Sequence, residues 1–221
     1  MIQNLIDQEL KKQQTTPRKR SGKFSPSSFG RCYQAQIWNR QNEPVSNPVD
    51  ARTLRVFKVG KLFHDFVQSF VPESTTEVGG QSDDVIFFAD IVGKETVYDI
   101  KSQHSRAFWY MEKSGFDIHS EKYTNWLQVM YYARELGKKK GSLIFVSKDD
   151  LCIGEYADFV EKWEDDIDCE LYHLRMYWDL ENAPRFPRAY NGQECKYCNW
   201  RETCGYQQDI KREPKSNSKG K

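Results

Sequence analysis

The stretch Gly80–Lys101, GQSDDVIFFADIVGKETVYDIK, contains the residues that decide the fold. It carries two runs of β-branched and aromatic residues, Val85–Val92 and Thr96–Ile100, and such runs are typical of β-strands. Because successive side chains of a strand point to opposite faces, Asp99 and Lys101 share one face. The stretch therefore predicts two adjacent strands, the second of which ends with a carboxylate and an ammonium side by side.

The position of the turn between these strands decides which residues face each other. If residues 89–94 form the connecting loop, Asp83 lies opposite Asp99 or its neighbour on the adjacent strand. A tight turn at Gly93-Lys94 would instead place Asp83 several residues past Asp99. The sequence allows both registers, and the first brings two carboxylates together.

Paired carboxylates beside a lysine have a clear chemical use. Two carboxylates a few ångströms apart repel each other unless a proton or a cation lies between them. Magnesium prefers oxygen ligands and retains waters, and Lys101 could orient or activate one of those waters. A metal that polarises a phosphate and an activated water can together hydrolyse a phosphodiester. Taken alone, however, an Asp-x-Lys triplet is more often an exposed ion pair of little consequence.

Helices and strands are predicted around this hairpin in an order typical of α/β proteins. Strands are predicted at Ser142–Ser147 and Leu151–Tyr156. The order predicts a mixed central β-sheet flanked by helices. The predicted helices are 1–12, Thr53–Phe70 (apolar Leu54, Phe57, Leu62, Phe66 and Phe70), 121–136 closed by Gly137, and a long helix with one stripe (Val160, Trp163, Ile167, Leu171, Leu174 and Trp178) that stops at Asn182-Ala183-Pro184.

Two of these helices carry polar side chains at a spacing of four residues, which puts them on one helical face. His64 follows Gly60 by four and could reach a metal or a phosphate. Gln128 and Tyr132 form the second pair, and an amide with a phenol can hold a phosphate oxygen and a lysine. A lone helical histidine is more often structural, and the second pair alone would suit an ordinary amphipathic helix.

The cysteines are unevenly distributed. Cys195, Cys198 and Cys204 lie within ten residues, and C-x2-C is ligand spacing for zinc or an iron–sulfur cluster. Cys32, 163 residues upstream, is the best candidate for a fourth ligand. No histidine falls in the cluster segment, and an all-thiolate site fits iron–sulfur as well as zinc. Such a site would join the N-terminal and C-terminal segments. The other two cysteines, Cys152 and Cys169, are interpreted as ordinary small apolar residues.

Charge is segregated along the 221 residues. Residues 9–23 carry a net charge of +5 and 211–221 a net charge of +4, against +1 for the whole chain, so the body is acidic. Basic ends suit a polyanion such as nucleic acid, or are simply solvated. We divide the chain into an N-terminal helix and basic linker (1–23), a globular body (24–206) and a basic, disordered tail (207–221). No apolar run is long enough for a membrane span, and no secretory signal is found, so we expect a cytoplasmic protein without membrane contacts.

Taken in order, these features resemble the PD-(D/E)XK nuclease superfamily in its RecB-like branch, and more closely the Cas-four-type iron–sulfur exonucleases. The resemblance covers about residues 24–206. No single motif is specific, whereas six in this order are. The motifs are Cys32, Gly60 with His64, Gly80-x-x-Asp83, Asp99-x-Lys101, Gln128-x3-Tyr132, and Cys195-x2-Cys198-x5-Cys204.

The resemblance implies a restriction-endonuclease-like core and a metal-dependent exonuclease that degrades mostly single-stranded DNA from an end, in recombination, repair or replication. Protein partners from those processes or from CRISPR adaptation are implied, and the short chain is similar to phage-encoded relatives. The implied roles are catalysis by Asp83, Asp99, Lys101, Gln128 and Tyr132, binding of Mg²⁺ or Mn²⁺ by His64, Asp83, Asp99 and the Ile100 carbonyl, and binding of a 4Fe–4S cluster by Cys32, Cys195, Cys198 and Cys204.

Two positions depart from the family pattern. Tyr33 stands where a proline often follows the first cysteine, and Asp99 stands where Glu is commoner. Three alternatives stay open: an endonuclease that trims DNA ends for CRISPR spacer acquisition, a non-catalytic DNA-binding module, and a nuclease whose cysteines hold zinc.

Overall fold

The computed structural model describes residues 1–15, 21–113, 115–189 and 192–206. It confirms the predicted mixed sheet flanked by helices. The strands are β1 Thr76–Gln81, β2 Ile86–Val92, β3 Thr96–Gln103, β4 Lys140–Ser147 and β5 Ile153–Phe159. The helices are α1 Ile2–Thr15, α2 Tyr33–Gln41, α3 Ala51–Gln68, α4 Ser105–Met111, α5 Ile118–Glu121, α6 Tyr123–Glu135, α7 Glu164–Asp179 and α8 Arg201–Cys204. The predicted linker within 16–20 and the predicted disordered tail at 207–221 lie outside the described residues.

The five strands lie in sequence order across the sheet. All neighbouring pairs are antiparallel except β3 with β4, which run parallel because α4, α5 and α6 carry the chain back between them. As the central strand, β3 is covered on both faces, with Val97 and Ile100 fully buried. This position also buries Asp99, which lies between them.

The main core lies between the sheet and α6, and α7 packs behind it. All residues of α6 from Trp126 to Ala133 are buried. The helix approaches β4 closely at Gly141, where a Cβ atom would stand 2.8 Å from Met130 Sδ. This close packing fixes the height of α6 above β3 and β4.

Among the described elements, α3 covers the opposite face of the sheet. Phe63 and Val67 of this helix pack on Ile91 and Ile100. The helix forms where its periodicity predicts it, but the apolar stripe that indicates it does not face the core. Phe57 is 61% exposed and Phe70 is 75% exposed, because the narrow contact with the sheet uses other positions of the helix.

The hairpin turn falls later than a loop over 89–94 would place it, so that prediction is wrong. Gly93 N–H donates to Thr96 O at 2.8 Å, Val92 pairs with Val97, and Ile91 pairs with Tyr98. The chain stays extended through Val92 because Ile91 is buried beneath α3. The tight-turn alternative therefore holds.

This register also makes the predicted opposition of Asp83 and Asp99 wrong. Asp83 lies in the exposed turn between β1 and β2. The strand β1, which the Gly-containing sequence TEVGGQ did not indicate, precedes that turn. Continuing the observed pairing by one step places Asp90, not Asp83, across from Asp99.

No helix of the described residues has the length and apolar character needed to cross a membrane.

Candidate active site

The site lies where β2 and β3 separate. Ladder pairing between them is limited to Ile91 with Tyr98 and Val92 with Val97, whereas β3 continues to Gln103 along β4. Beyond the last pair, Asp90 Oδ2 accepts a hydrogen bond of 2.7 Å from the Ile100 backbone N–H. The carboxylate thus takes the place of a strand carbonyl at the fork, beside Asp99.

Asp99 is 1% exposed, and its two oxygens have different partners. Oδ1 accepts a hydrogen bond of 2.9 Å from Gln128 Nε2. Oδ2 lies 2.7 Å from Lys101 Nζ, but the angles do not suit a hydrogen bond, and this buried oxygen has no hydrogen-bond partner in the described structure. Burial raises the pKa of Asp99, the Lys101 ammonium opposes the rise, and the Asp90 carboxylate adds to it. The Lys101 ammonium therefore balances the charge of this oxygen by close contact rather than by a hydrogen bond.

Gln128 and Tyr132 share a face of α6, as predicted, and their contacts orient the carboxylate and the lysine. Gln128 Nε2 donates to Tyr132 Oη at 2.9 Å, and Lys101 Nζ donates to Gln128 Oε1 at 3.2 Å. Phe87 of β2 stacks on Tyr132 with ring centres 5.2 Å apart. The pKa of the Tyr132 phenol is raised by burial, so the phenol stays neutral at ordinary pH.

Gly80 acts in packing rather than in chemistry. Gly80 lies on β1, across from Phe87 of β2. A Cβ atom at position 80 would stand 2.2 Å from Phe87 Cζ. Any side chain at this position would displace the ring that supports Tyr132.

His64 reaches the site from α3. Its Nδ1 lies 3.4 Å from Asp90 Oδ2, and both side chains are largely buried. Burial alone would lower the pKa of His64, but the contact with Asp90 raises it above the usual value. Gly60, one turn earlier, faces Ser102 of β3, where a Cβ atom would stand an ordinary contact distance of 3.6 Å from Ser102 Oγ.

The structure brings together six of the seven side chains or carbonyls predicted for this site and leaves Asp83 outside. The six are His64, Asp99, Ile100, Lys101, Gln128 and Tyr132. Sequence reasoning missed Asp90. An acid within the apolar run Val85–Val92 was the available signal, because a charge in a buried strand needs a specific partner.

The donor set suits a hard divalent cation. The carboxylates of Asp90 and Asp99 with the Ile100 carbonyl offer only oxygen, which magnesium and manganese prefer. Asp99 Oδ2 pairs with Lys101 by charge but accepts no hydrogen bond, so this buried oxygen could also serve such a cation as a ligand. In the described parts of the chain, no three His, Cys, Asp or Glu side chains already stand close enough to hold one metal ion.

The four predicted cluster cysteines line one cavity of about 260 Å³. Burial raises the pKa of Cys32 to about 11, and it also raises the pKa of Cys195 and Cys198. Thiols with raised pKa values become thiolates when a cation offsets their charge. The cavity therefore brings four thiols to one place, although no three of the metal-binding side chains in the described ranges stand close enough to hold a single ion. Cys152 and Cys169 lie elsewhere: Cys152 just before β5, and Cys169 on the exposed side of α7.

Protein contacts also join the two segments that carry these cysteines. Glu170 of α7 is 2% exposed and accepts from Gly30 N–H and Gln36 Nε2, both at 3.0 Å. Its other oxygen accepts from Arg188 Nη2 at 2.8 Å, and Arg188 Nη1 donates to Arg31 O at 3.0 Å. We call this set the Glu170 network. It holds the chain on both sides of Cys32 against the segment that leads to Cys195.

Comparison with known proteins supports the fold. No family model and no curated protein matches the chain. The crystal structure of SSO0001 matches 90% of this chain and 94% of its own, with 20% sequence identity and a TM-score of 0.58. Two structures of the alkaline exonuclease LHK-Exo match less closely. The first, from Laribacter hongkongensis, covers 73% of this chain and 92% of its own at 12% identity and a TM-score of 0.47. The second, a complex with dAMP, covers 72% of this chain and 91% of its own, at 15% identity and a TM-score of 0.44. The match to SSO0001 shows a shared fold, and at 20% identity it leaves activity to the site itself.

Proposed function

We propose that the protein is a metal-dependent deoxyribonuclease of the PD-(D/E)XK type. One observation carries the proposal: two carboxylates, Asp90 and Asp99, face each other at the fork of β2 and β3, and Lys101 Nζ lies 2.7 Å from the second. This is the set of groups that phosphodiester hydrolysis requires, namely oxygen ligands for a metal and a cation beside the place where a water would be held.

Asp90, Asp99 and the Ile100 carbonyl would hold Mg²⁺ or Mn²⁺, and His64 would orient Asp90 or join the ligands. When bound, such a metal polarises the phosphate and lowers the pKa of a coordinated water. Lys101 positions the attacking water and stabilises the negative charge that develops on the phosphate. Gln128 holds both Asp99 and Lys101, so it fixes their separation before the substrate arrives. Tyr132 in turn holds Gln128.

We further propose that Cys32, Cys195, Cys198 and Cys204 bind a 4Fe–4S cluster with a structural role. All four line one cavity of about 260 Å³, and an all-thiolate ligand set is one that iron–sulfur clusters use. The same four thiolates would also suit zinc, which is the alternative occupant.

The finer proposal is an exonuclease of the RecB-like, Cas-four type that acts on single-stranded DNA from an end, in recombination, repair or replication. The deciding experiment is cleavage of single-stranded DNA labelled separately at its 5′ and 3′ ends, with Mn²⁺ or Mg²⁺. Wild type is compared with Lys101→Ala and with Lys61→Ala, a matched removal of an exposed lysine on α3.

Release of mononucleotides from one labelled end by wild type and Lys61→Ala, and its loss in Lys101→Ala, is the expected result. Equal cleavage by Lys101→Ala would show that the site is wrongly placed. No cleavage by folded, metal-loaded wild type would reject the nuclease and favour a DNA-binding module.

A further inference from the structure

A second cleft follows the catalytic residues along β3. It has a volume of about 300 Å³, and the side chains that define it are His104, Arg106, Tyr110, Phe116, Glu121 and Lys122. They come from the start of α4, from the segment after it and from the end of α5. The nuclease mechanism leaves all of them unused.

Two contacts place this cleft next to the active site. Asp99, Lys101 and Gln103 alternate along one face of β3, and Gln103 Nε2 lies 2.8 Å from Met111 Sδ, which lines the cleft. Two residues of a strand span about 7 Å, so the cleft begins about one side-chain step beyond Lys101.

The second contact comes from the neighbouring strand. Phe145 of β4 pairs with Lys101, and paired residues of parallel strands face the same side of the sheet. Lys122 Nζ lies 5.4 Å from the centre of the Phe145 ring. The cleft and the catalytic cluster therefore share one face of the sheet.

The charges of the cleft are not balanced from within. Across the described ranges, Arg106 and Lys122 form no ion pair with a carboxylate, and the one acid at the rim is the exposed Glu121. Lys122 is half-buried, and burial lowers its pKa. Glu121 opposes this effect by its charge but forms no ion pair with Lys122, so a bound anion would stabilise the half-buried ammonium further.

An aromatic surface stands beside these cations. Tyr110 is 57% exposed and packs edge-on against Phe116, with ring centres 5.6 Å apart. An exposed ring held in place by a second ring is a suitable surface for an unpaired base, and base stacking tolerates any sequence.

We infer that this cleft binds the DNA strand next to the phosphodiester that is cut, with a neighbouring phosphate at Arg106 and Lys122 and an unpaired base stacked on Tyr110. The inference rests on the proposed nuclease function, because that function places the cut phosphodiester beside Lys101 and the neighbouring part of the strand further along β3. It predicts that binding of a single strand has an electrostatic part and a stacking part that can be removed separately.

The test measures how tightly the full, metal-loaded chain binds a fluorescein-labelled dT12 single strand. Binding is detected by fluorescence anisotropy in Ca²⁺ buffer. The salt concentration is varied from 50 to 250 mM, about the range over which contacts with phosphates weaken strongly. Strand integrity is checked on a gel. The variants are Arg106→Ala, Lys122→Met, Tyr110→Ala and Tyr110→Phe. Lys139→Ala, which removes an exposed lysine at the far end of the sheet, is the matched control.

Arg106→Ala and Lys122→Met should each weaken binding about ten-fold at low salt and reduce the slope of log K against log salt by about 0.7. Tyr110→Ala should weaken binding about ten-fold with an unchanged slope, whereas Tyr110→Phe should bind like wild type. Lys139→Ala should match wild type in both quantities. Wild-type affinity and slope in Arg106→Ala and Lys122→Met would overturn the inference.

Cleavage assays on the same proteins separate this inference from the nuclease proposal. If wild type cuts DNA and the cleft variants bind as it does, the cleft is rejected and the nuclease stands. If the cleft variants lose binding but wild type shows no metal-dependent cutting, the cleft stands and the nuclease is rejected. If wild type neither binds nor cuts the strand, both are rejected.

Discussion

Asp90 Oδ2 accepts a hydrogen bond of 2.7 Å from the Ile100 N–H at the point where β2 and β3 cease to pair. The Asp90 carboxylate therefore takes the place of a strand carbonyl and also adds a negative charge beside Asp99. Its neighbour across the fork, Asp99, is held by Gln128 and Lys101 instead. The two acids are fixed by different elements, so their separation depends on the packing of α6 against the sheet.

The first prediction distinguishes Asp90 from Asp83. Asp90→Asn should lower metal-dependent cleavage more than about 100-fold, because loss of a metal ligand exceeds the 10–100-fold cost of a residue that only supports one. The amide oxygen can still accept from Ile100 N–H, so the fold should survive. Manganese binding by calorimetry and cleavage rates check the result.

Asp83→Asn is the matched control, since it removes the same charge from the exposed turn between β1 and β2. We expect cleavage within two-fold of wild type, about the accuracy of such rates. A loss in Asp83→Asn that equals the loss in Asp90→Asn would show that the exposed acid takes part in metal binding.

The second prediction concerns pH. Burial raises the pKa of Asp99, and the contact with Asp90 raises the pKa of His64. Both groups take up protons as pH falls, at higher pH than isolated groups would, and both protons compete with a cation. Manganese affinity should therefore fall between pH 7.5 and pH 5.5, about the range above the ordinary carboxylate pKa. Calorimetry at three pH values measures the manganese affinity. An affinity that stays the same across this pH range would contradict the prediction.

The third prediction tests the Glu170 network. Glu170→Gln removes the charge that pairs with Arg188 and should lower the free energy of unfolding by about 3 kcal/mol, since it leaves a largely buried cation without its partner. Asp168→Asn on the same helix breaks an exposed pair with Arg134 and should cost less than about 1 kcal/mol. Urea unfolding followed by circular dichroism measures both. Equal costs would mean that burial does not distinguish the two pairs.

The fourth prediction concerns the cysteine cavity. Cys32→Ser and Cys198→Ser should each lose bound iron and visible absorbance, because a hydroxyl is a poor substitute for a thiolate ligand. Cys169→Ser, on the exposed side of α7, should keep both. Iron, zinc and sulfide analysis after anaerobic purification gives the answer. Full iron content in Cys198→Ser would reject its assignment as a ligand, and zinc in the wild type would replace the cluster proposal.

Local spacing explains which parts of the site could be predicted. Gln128 with Tyr132, and Gly60 with His64, lie four residues apart in single helices, and helical geometry alone puts each pair on one face. Asp99 and Lys101 follow in the same way from alternation in a strand. These groups meet in the structure because each spacing depends only on its own element.

The partner of Asp99 could not be predicted in the same way. It depends on strand register, and register depends on what each residue buries. Ile91 packs beneath Phe63 of α3, which keeps the strand extended past Asp90 and moves the turn to Gly93. The sequence of the hairpin alone does not indicate that contact, because the other partner lies in α3. The exposure of the apolar stripe of α3 has the same cause, because the neighbouring element decides which face of a helix is buried.

The joining of Cys32 to the segment of Cys195–Cys204 has a consequence for biosynthesis. At 5–20 residues per second, a ribosome takes roughly 8–33 s to add the 163 residues that separate Cys32 from Cys195. During that interval the first thiol has no partner, while the strands that hold Asp90 and Asp99 have already emerged. The five-stranded sheet is thus translated before Cys195, so the four cysteines could bind the proposed cluster only after the segment that carries Cys195–Cys204 has been made.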